Sequence, residues 1–296
     1  VSQCGHCAKK RQSGVSCIAI DQLSRETLMR IGFIGTGAMA QAIARGAVAS
    51  GVDPATLVFS NRTATKACDL ADELGATAAS SNASLARQAD IVILAVKPKD
   101  QRAVIKEISP IVVGRTDVCV VSLAAGRTLD QITTDFGAGI PLVRVMPNVA
   151  ATVGQSMTAL TAARATDAQV AAVRSLMDSV GRTILIDEDY FPVFQALASC
   201  SPAWYFQIVD SFARAGLKHG LSKDSAVEIA AQAMAGAAAL LLAEREAGTI
   251  PAQLIDRVTS PGGTTIAGLL AAEEGGLSNA LVGAVDASIH ADSHLG

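Results

Sequence analysis

From residue 30 onward, short apolar runs alternate with longer stretches whose apolar positions recur at helical spacing. Arg30 to Ile34 and Leu57 to Ser60 are runs of strand length, separated by a helical pattern over Gln41 to Ser50. A helix follows over Cys68 to Gly75, then strands over Asp90 to Val96, Val118 to Ser122 and Leu142 to Val145. A last strand ends near Ile184 to Asp187, and the charged triplet Asp187-Glu188-Asp189 marks a boundary. Beyond it strand signals cease. Residues 191–215, 223–246, 251–257 and 277–289 all have helical length and period. Strands that alternate with helices predict an α/β unit with a mostly parallel, doubly wound sheet, because parallel neighbours need a crossover between them. The expected division is a polar, aperiodic stretch over 1–28 read as a disordered extension, an α/β domain over 29–189 and an all-α domain over 190–296.

The ends of the strands carry the chemistry. Gly35-Thr36-Gly37-Ala38-Met39-Ala40 follows the first strand at once and opens the helical pattern, giving G-x-G-x-x-G/A between strand and helix. Gly35 permits the turn, Gly37 lets the backbone approach a pyrophosphate, and Ala40 lets the helix pack close. Glycine turns occur in any parallel sheet. The second strand at βαβ distance is what makes this one the dinucleotide site of a Rossmann domain. Where an NAD site would place an acid for the ribose hydroxyls, this chain has Ser60-Asn61-Arg62-Thr63. Hydroxyl, amide and guanidinium groups suit the 2′-phosphate of NADPH, with NADH the lesser fit. The other reading of Arg62 is a solvated loop residue. Ala95-Val96-Lys97-Pro98, Ser122 and Asn148 lie at later strand ends and are expected to face the same crevice. Lys97 reads either as a cation beside the ligands or as a solvated lysine before a proline.

Composition narrows the classes. Of 296 residues half are hydrophobic, 17% are charged and only 3% aromatic, so the core is aliphatic. A net charge of -3 gives no footprint for nucleic acid or an anionic membrane. The longest apolar run, Ala233 to Leu242, reads as too short to span a bilayer, which predicts a soluble protein. Cys4, Cys7, Cys17, Cys68, Cys119 and Cys200 form no disulfide framework, so a reducing cytoplasm is expected. Cys4-Gly5-His6-Cys7 lacks a second ligand pair at finger spacing, so no metal is expected. Ala226 to Ala243 is apolar on nearly all sides, the mark of a subunit interface or of a buried central helix.

Two further stretches stand out in the helical half. Ser199-Cys200-Ser201-Pro202 interrupts a helical pattern, which predicts a bend. Val258-Thr259-Ser260-Pro261-Gly262-Gly263-Thr264-Thr265 leads into the apolar segment Ile266 to Leu270. Ser260 reads as the N-cap and Pro261 as the first helical residue. The glycines leave backbone N–H groups uncovered, which makes the loop either an ordinary cap or a seat for a small carboxylate.

Together Gly32 to Ala40, Ala95 to Pro98, Arg144-Val145-Met146-Pro147-Asn148 and Val258 to Leu269 resemble the pattern of the pyrroline-5-carboxylate reductase family, over Arg30 to about Ile289. The resemblance implies reduction of a cyclic imine to L-proline with NADPH or NADH, the final step of proline synthesis. It implies a helical domain that dimerises by interleaving, often within a ring of dimers. Carried over by position, the substrate loop becomes Ser260, Gly262, Gly263, Thr264 and Thr265, with Thr265 beside the ring nitrogen as the catalytic contact. Two features depart from the pattern. Ser199-Cys200-Ser201-Pro202-Ala203-Trp204 stands where the family usually has Gly-Ser-Gly-Pro-Ala-Tyr, and a basic residue is missing near Leu281 to Gly283. The alternatives are a related imine or 3-hydroxy acid oxidoreductase, and a non-catalytic dinucleotide-binding paralogue. A 3-hydroxy acid enzyme would carry a lysine in the inter-domain helix, where Ser199 to Pro202 has none.

Overall fold

The computed structural model describes residues 29–292, so the extension over 1–28, with Cys4, Cys7 and Cys17, lies outside the described residues. Strands β1 (Ile31–Ile34), β2 (Leu57–Ser60), β3 (Thr77–Ala78), β4 (Ile91–Leu94), β5 (Cys119–Ser122), β6 (Leu142–Met146), β7 (Ser156–Ala163) and β8 (Gly181–Leu185) form one sheet. Their order is β3-β2-β1-β4-β5-β6-β7-β8, parallel throughout except that β7 runs antiparallel to β6. The order reverses between β1 and β4, which opens a crevice at the carboxyl ends of those strands.

The strands are apolar on both faces because helices cover both. Phe33 and Phe59 pack on one side, ring centroids 5.5 Å apart, with Ile43 of α1 (Ala38–Ala49), Leu70 of α2 (Ala64–Leu74) and Met177 of α6 (Asp167–Asp178). Ile34 and Leu94 pack on the other, with Leu85 of α3 (Asn82–Gln88), Ile105 of α4 (Pro98–Val112) and Phe136 of α5 (Leu129–Phe136). That is the buried parallel sheet expected from near-continuous apolar runs. On the outer helices, Asp135 is paired with both Arg127 and Arg102.

Two strands are not written as apolar runs. β7 reads Ser-Met-Thr-Ala-Leu-Thr-Ala-Ala and β3 has two residues, so neither has a hydrophobic signature. Pairing on both sides, with β6 and β8, holds β7 in place instead.

After β8 the chain is helical. α7 (Phe191–Phe194) runs into a π turn (Gln195–Cys200), then α8 (Ser201–Lys218). The predicted bend is thus a π turn, with the Ser201 N–H reaching back to the Ala196 carbonyl. α9 (Lys223–Glu244), α10 (Pro251–Val258), α11 (Thr264–Glu274) and α12 (Leu277–Asp292) complete the half. Only Ala226 of α9 is buried, while Ile229, Leu240 and Leu242 are exposed. The reading of α9 as a buried central helix therefore fails for a single chain. Its length also corrects an expectation: residues 223–247 are, by length and composition, long and apolar enough to cross a membrane, though the uninterrupted apolar run is shorter. Apolar residues on all sides also mark a helix buried between subunits.

A polar knot joins the halves. Glu188 Oε1 accepts from the Leu129 N–H and from Arg144 Nη1, both at 2.8 Å. The Arg144 guanidinium, in β6, lies 4.3 Å from the ring centroid of Phe191, the first residue of α7.

Candidate active site

The turn after β1 is shaped for a backbone approach. Gly35 has φ +102, and its N–H donates to the Ser60 carbonyl at 2.7 Å. A Cβ there would stand 2.7 Å from the Ala95 carbonyl oxygen, so both conformation and space require glycine. Gly37 is the N-cap of α1, with no side-chain cap and no acid in the first turn. The first N–H groups of the helix, those of Ala38 and Met39 among them, are thus left to an anion. Nothing lies within 4 Å of a Cβ built on Gly37, so the space above it is open to a ligand.

Thr36 completes this end. Its N–H donates to Asn61 Oδ1 at 3.3 Å and its carbonyl accepts from Gln41 Nε2 at 3.0 Å. Its hydroxyl is buried with no partner among the described residues. An orphaned hydroxyl, an uncapped helix and an open face over Gly37 fit the pyrophosphate of a dinucleotide.

The β2 end is more committed than its residue types suggest. Ser60 is buried and donates to Asn82 Oδ1 at 2.8 Å, and Asn82 donates in turn to Glu107 at 2.7 Å. Asn61 spans the turn, accepting from Thr36 and donating to the Thr63 carbonyl at 3.0 Å. Arg62 is exposed. A hollow of about 420 Å³ runs from Thr36, Gly37 and Ala38 along α1 and α2, and Lys66 lines it. The sequence reading missed Lys66. Its signal was a lysine one turn past Arg62, on the helix that follows the same strand.

A cleft of about 390 Å³ lies between the halves. Met39, Ala95, Val96, Leu123, Met146 and Pro147 line the sheet side, and Gln195, Ser199 and Cys200 the side of the π turn. Of the family departures, Ser199 and Cys200 reach this wall, while Ser201 turns away and donates to the Leu197 carbonyl at 2.6 Å. Lys97 and Pro98 stand beside the cleft at the start of α4, Lys97 exposed at the N-cap. Ser122, expected to face the crevice, does not: its hydroxyl accepts from Gln101 Nε2 at 2.7 Å inside the core. Asn148 is buried two residues past β6 and donates across the boundary to the Ala198 carbonyl at 2.8 Å.

The loop over 258–265 lines neither hollow. It closes on itself, the Gly263 N–H donating to the Ser260 carbonyl at 2.9 Å, with Gly262 at φ +69. This corrects the sequence reading of its cap. The tight turn over Pro261 and Gly262 delays the helix, so the N-cap is Gly263 rather than Ser260 and the helix starts at Thr264. α11 has no side-chain cap and no acid in its first turn, so free N–H groups beside Thr264 and Thr265 remain as an anion seat. Ser260, Gly262, Thr264 and Thr265 are all exposed.

Known proteins share the sequence pattern and the fold. Residues 188–295 match the family described as pyrroline-5-carboxylate reductase dimerisation, and residues 30–126 match NADP oxidoreductase, coenzyme F420-dependent. The chain is 35% identical over 264 residues to the pyrroline-5-carboxylate reductase of Glycine max, covering 87% of this chain and 93% of that one. It belongs to the pyrroline-5-carboxylate reductase family. The Escherichia coli (strain K12) member is 36% identical over 258 residues, covering 86% of this chain and 94% of that one. The Coxiella burnetii pyrroline-5-carboxylate reductase superposes with a TM-score of 0.86 at 32% identity, over 91% of this chain and 99% of that one. A Plasmodium falciparum pyrroline carboxylate reductase, solved with NADP bound, gives 0.76 at 25% identity, over 90% and 98%. Within this family the exposed helical half acquires a reason, because a dimerisation domain self-associates.

Proposed function

We propose that the chain reduces L-1-pyrroline-5-carboxylate to L-proline, the last step of proline synthesis, using NADPH in preference to NADH. The observation that carries the reading is the split site. A cleft beside an uncapped fingerprint helix lacks, within one chain, the loop that would seat a carboxylate. That loop lies instead on the exposed, self-associating half. In an interleaved homodimer, within a ring of dimers, the Ser260 to Thr265 loop of one copy faces the cleft of the other. Residues 29–189 form the cofactor domain and 190–296 the dimerisation domain, in a soluble cytoplasmic enzyme. Its partners are a small cyclic imine and its own copies rather than nucleic acid or membrane.

Each residue then has a chemical task. Gly35 to Met39 hold the pyrophosphate, Asn61 and Arg62 the 2′-phosphate side with Lys66 near it, and Ala95 to Pro98 the wall beyond. NADPH, when bound, supplies the hydride. The N–H groups at the start of α11 seat the substrate carboxylate, Gly262 keeping the approach open and Gly263 leaving room for the assisting Ser260 hydroxyl. Thr265 hydrogen-bonds the ring nitrogen. Its hydroxyl is too weak an acid to be the proton source, so it orients a proton that arrives from water or with the substrate. The apolar lining from Met39 to Pro147 keeps water from the reacting carbon.

The test is oxidation of NADPH by pyrroline-5-carboxylate, with the six-membered imine and a keto acid as controls. Turnover of the five-membered imine above both controls is expected. Turnover of the keto acid alone would move the protein to another reductase class, and NADPH binding without any turnover would make it a sensor.

A further inference from the structure

Asn148 lies two residues past β6, next to the cleft residue Pro147, yet its side chain is spent on protein. Nδ2 donates to the Ala198 carbonyl at 2.8 Å and Oδ1 accepts the Ala150 N–H at 3.2 Å. Its own N–H donates to the Ser156 hydroxyl at 3.1 Å, and only 9% of the residue is exposed. One amide orientation alone satisfies both side-chain partners. The Nδ2 bond crosses from the sheet to the helical half and ends on a carbonyl four residues before Pro202. Pro202 has no N–H, so the carbonyls it would face in the preceding turn receive no backbone donor from it. The Ser201 hydroxyl serves Leu197 at 2.6 Å, and Asn148 serves Ala198. The next two residues, Ser199 and Cys200, form the cleft wall.

We infer that Asn148 is a positioning residue: it replaces the N–H that Pro202 lacks and so fixes the π turn whose Ser199 and Cys200 shape the substrate side of the cleft. Its part in turnover rests on the reductase reading above. The role differs from direct contact with the cofactor.

Asn148→Ala and Pro202→Ala, alone and combined in the full chain, test it. The readouts are kcat and KM for pyrroline-5-carboxylate, NADPH Kd by fluorescence quenching, and thermal midpoint. Asn148→Ala should lower kcat/KM about tenfold, mainly through KM, the worth of one hydrogen bond to a buried carbonyl. NADPH Kd should move less than about threefold, since the bond is made to protein. Pro202→Ala returns an N–H to the same turn, and a carbonyl holds two acceptor sites. In that background the loss on removing Asn148 should shrink to about threefold or less. An equal loss in both backgrounds would overturn the inference. So would a weakening of NADPH that matches the loss in kcat/KM, which would make Asn148 a cofactor contact. Should Asn148→Ala not fold, Asn148→Asp keeps shape and the Ala150 bond while removing the donor, with the same expectations. A wild-type chain that fails to turn over the imine defeats the reductase reading separately. The thermal midpoints of the four proteins then still report the coupling, because the bond and its replacement are both internal.

Discussion

Both halves of this chain draw on the same aliphatic residues, yet they end differently. Phe33, Ile43, Phe59 and Leu94 have essentially no exposed surface, whereas Phe206, Phe212, Ile229, Leu270 and Val282 each expose more than half. Each parallel crossover of the sheet returns a helix to one face or the other, so the central strands are covered by their own connections. α9 packs along α8, and α12 on α7, the π turn and α11, yet these helices leave most of their apolar surface open. Apolar surface of this extent is a contact surface without its other side. The fingerprint thus lies on a half finished within one chain, and the Ser260 to Thr265 loop, proposed above to seat the substrate, on a half that self-associates.

The largest effect should come from breaking that second closure. Ile229→Lys together with Leu240→Lys, on the exposed apolar surface of α9, should give monomers by light scattering and lower activity at least about 100-fold, because unpaired charges oppose burial. Dimers of normal activity would show that α9 is not the interface. Mixing experiments sharpen the comparison. Gly37→Asp blocks the fingerprint, and Thr265→Ala should lower kcat roughly 10- to 1000-fold. Co-refolded, the two variants should regain about a quarter of wild-type activity, since half the dimers are mixed and each mixed dimer holds one intact site. No recovery would place loop and fingerprint of one chain in the same site. Within the finished half, Arg62→Asp should shift the NADPH-to-NADH affinity ratio about tenfold or more toward NADH. An unchanged ratio would remove Arg62 from the 2′-phosphate.

The smallest effect belongs to pH. Burial raises the cost of the Asp135 charge, but Arg127 and Arg102 outweigh it and hold the carboxyl below its ordinary value. A carboxyl lower in the folded state than in the unfolded one stabilises fully above about pH 4 and loses that contribution as pH falls through the folded value. Asp135→Asn should therefore lower the thermal midpoint near neutrality and leave it little changed in acid. An equal loss at both would make the contact one of packing.

The parts legible in the sequence were those fixed by local rules. β1, β2, β4, β5 and β6 announce themselves as apolar runs, and the Gly75 that stops α2 sits at φ +73 as a helix-ending glycine does. Less legible was whatever depended on a distant partner. β7 is Ser, Thr and Ala held by two neighbours, and Ser60 and Ser122 look like ligand donors until Asn82 and Gln101 claim them. The signature loop was readable as a motif, but its cap was not. The bond from Gly263 to Ser260 spends a turn before the helix begins.

The knot of Arg144, Glu188 and Phe191 bears on how such an enzyme would breathe. A strand arginine held by a carboxylate and roofed by the first aromatic of the next half ties the two halves at this point. Parting the halves there would strip the buried Arg144 guanidinium of its aromatic cover, which favours the two halves of one chain moving together. If the site is assembled from two copies, as proposed above, substrate would then be admitted at the seam between subunits.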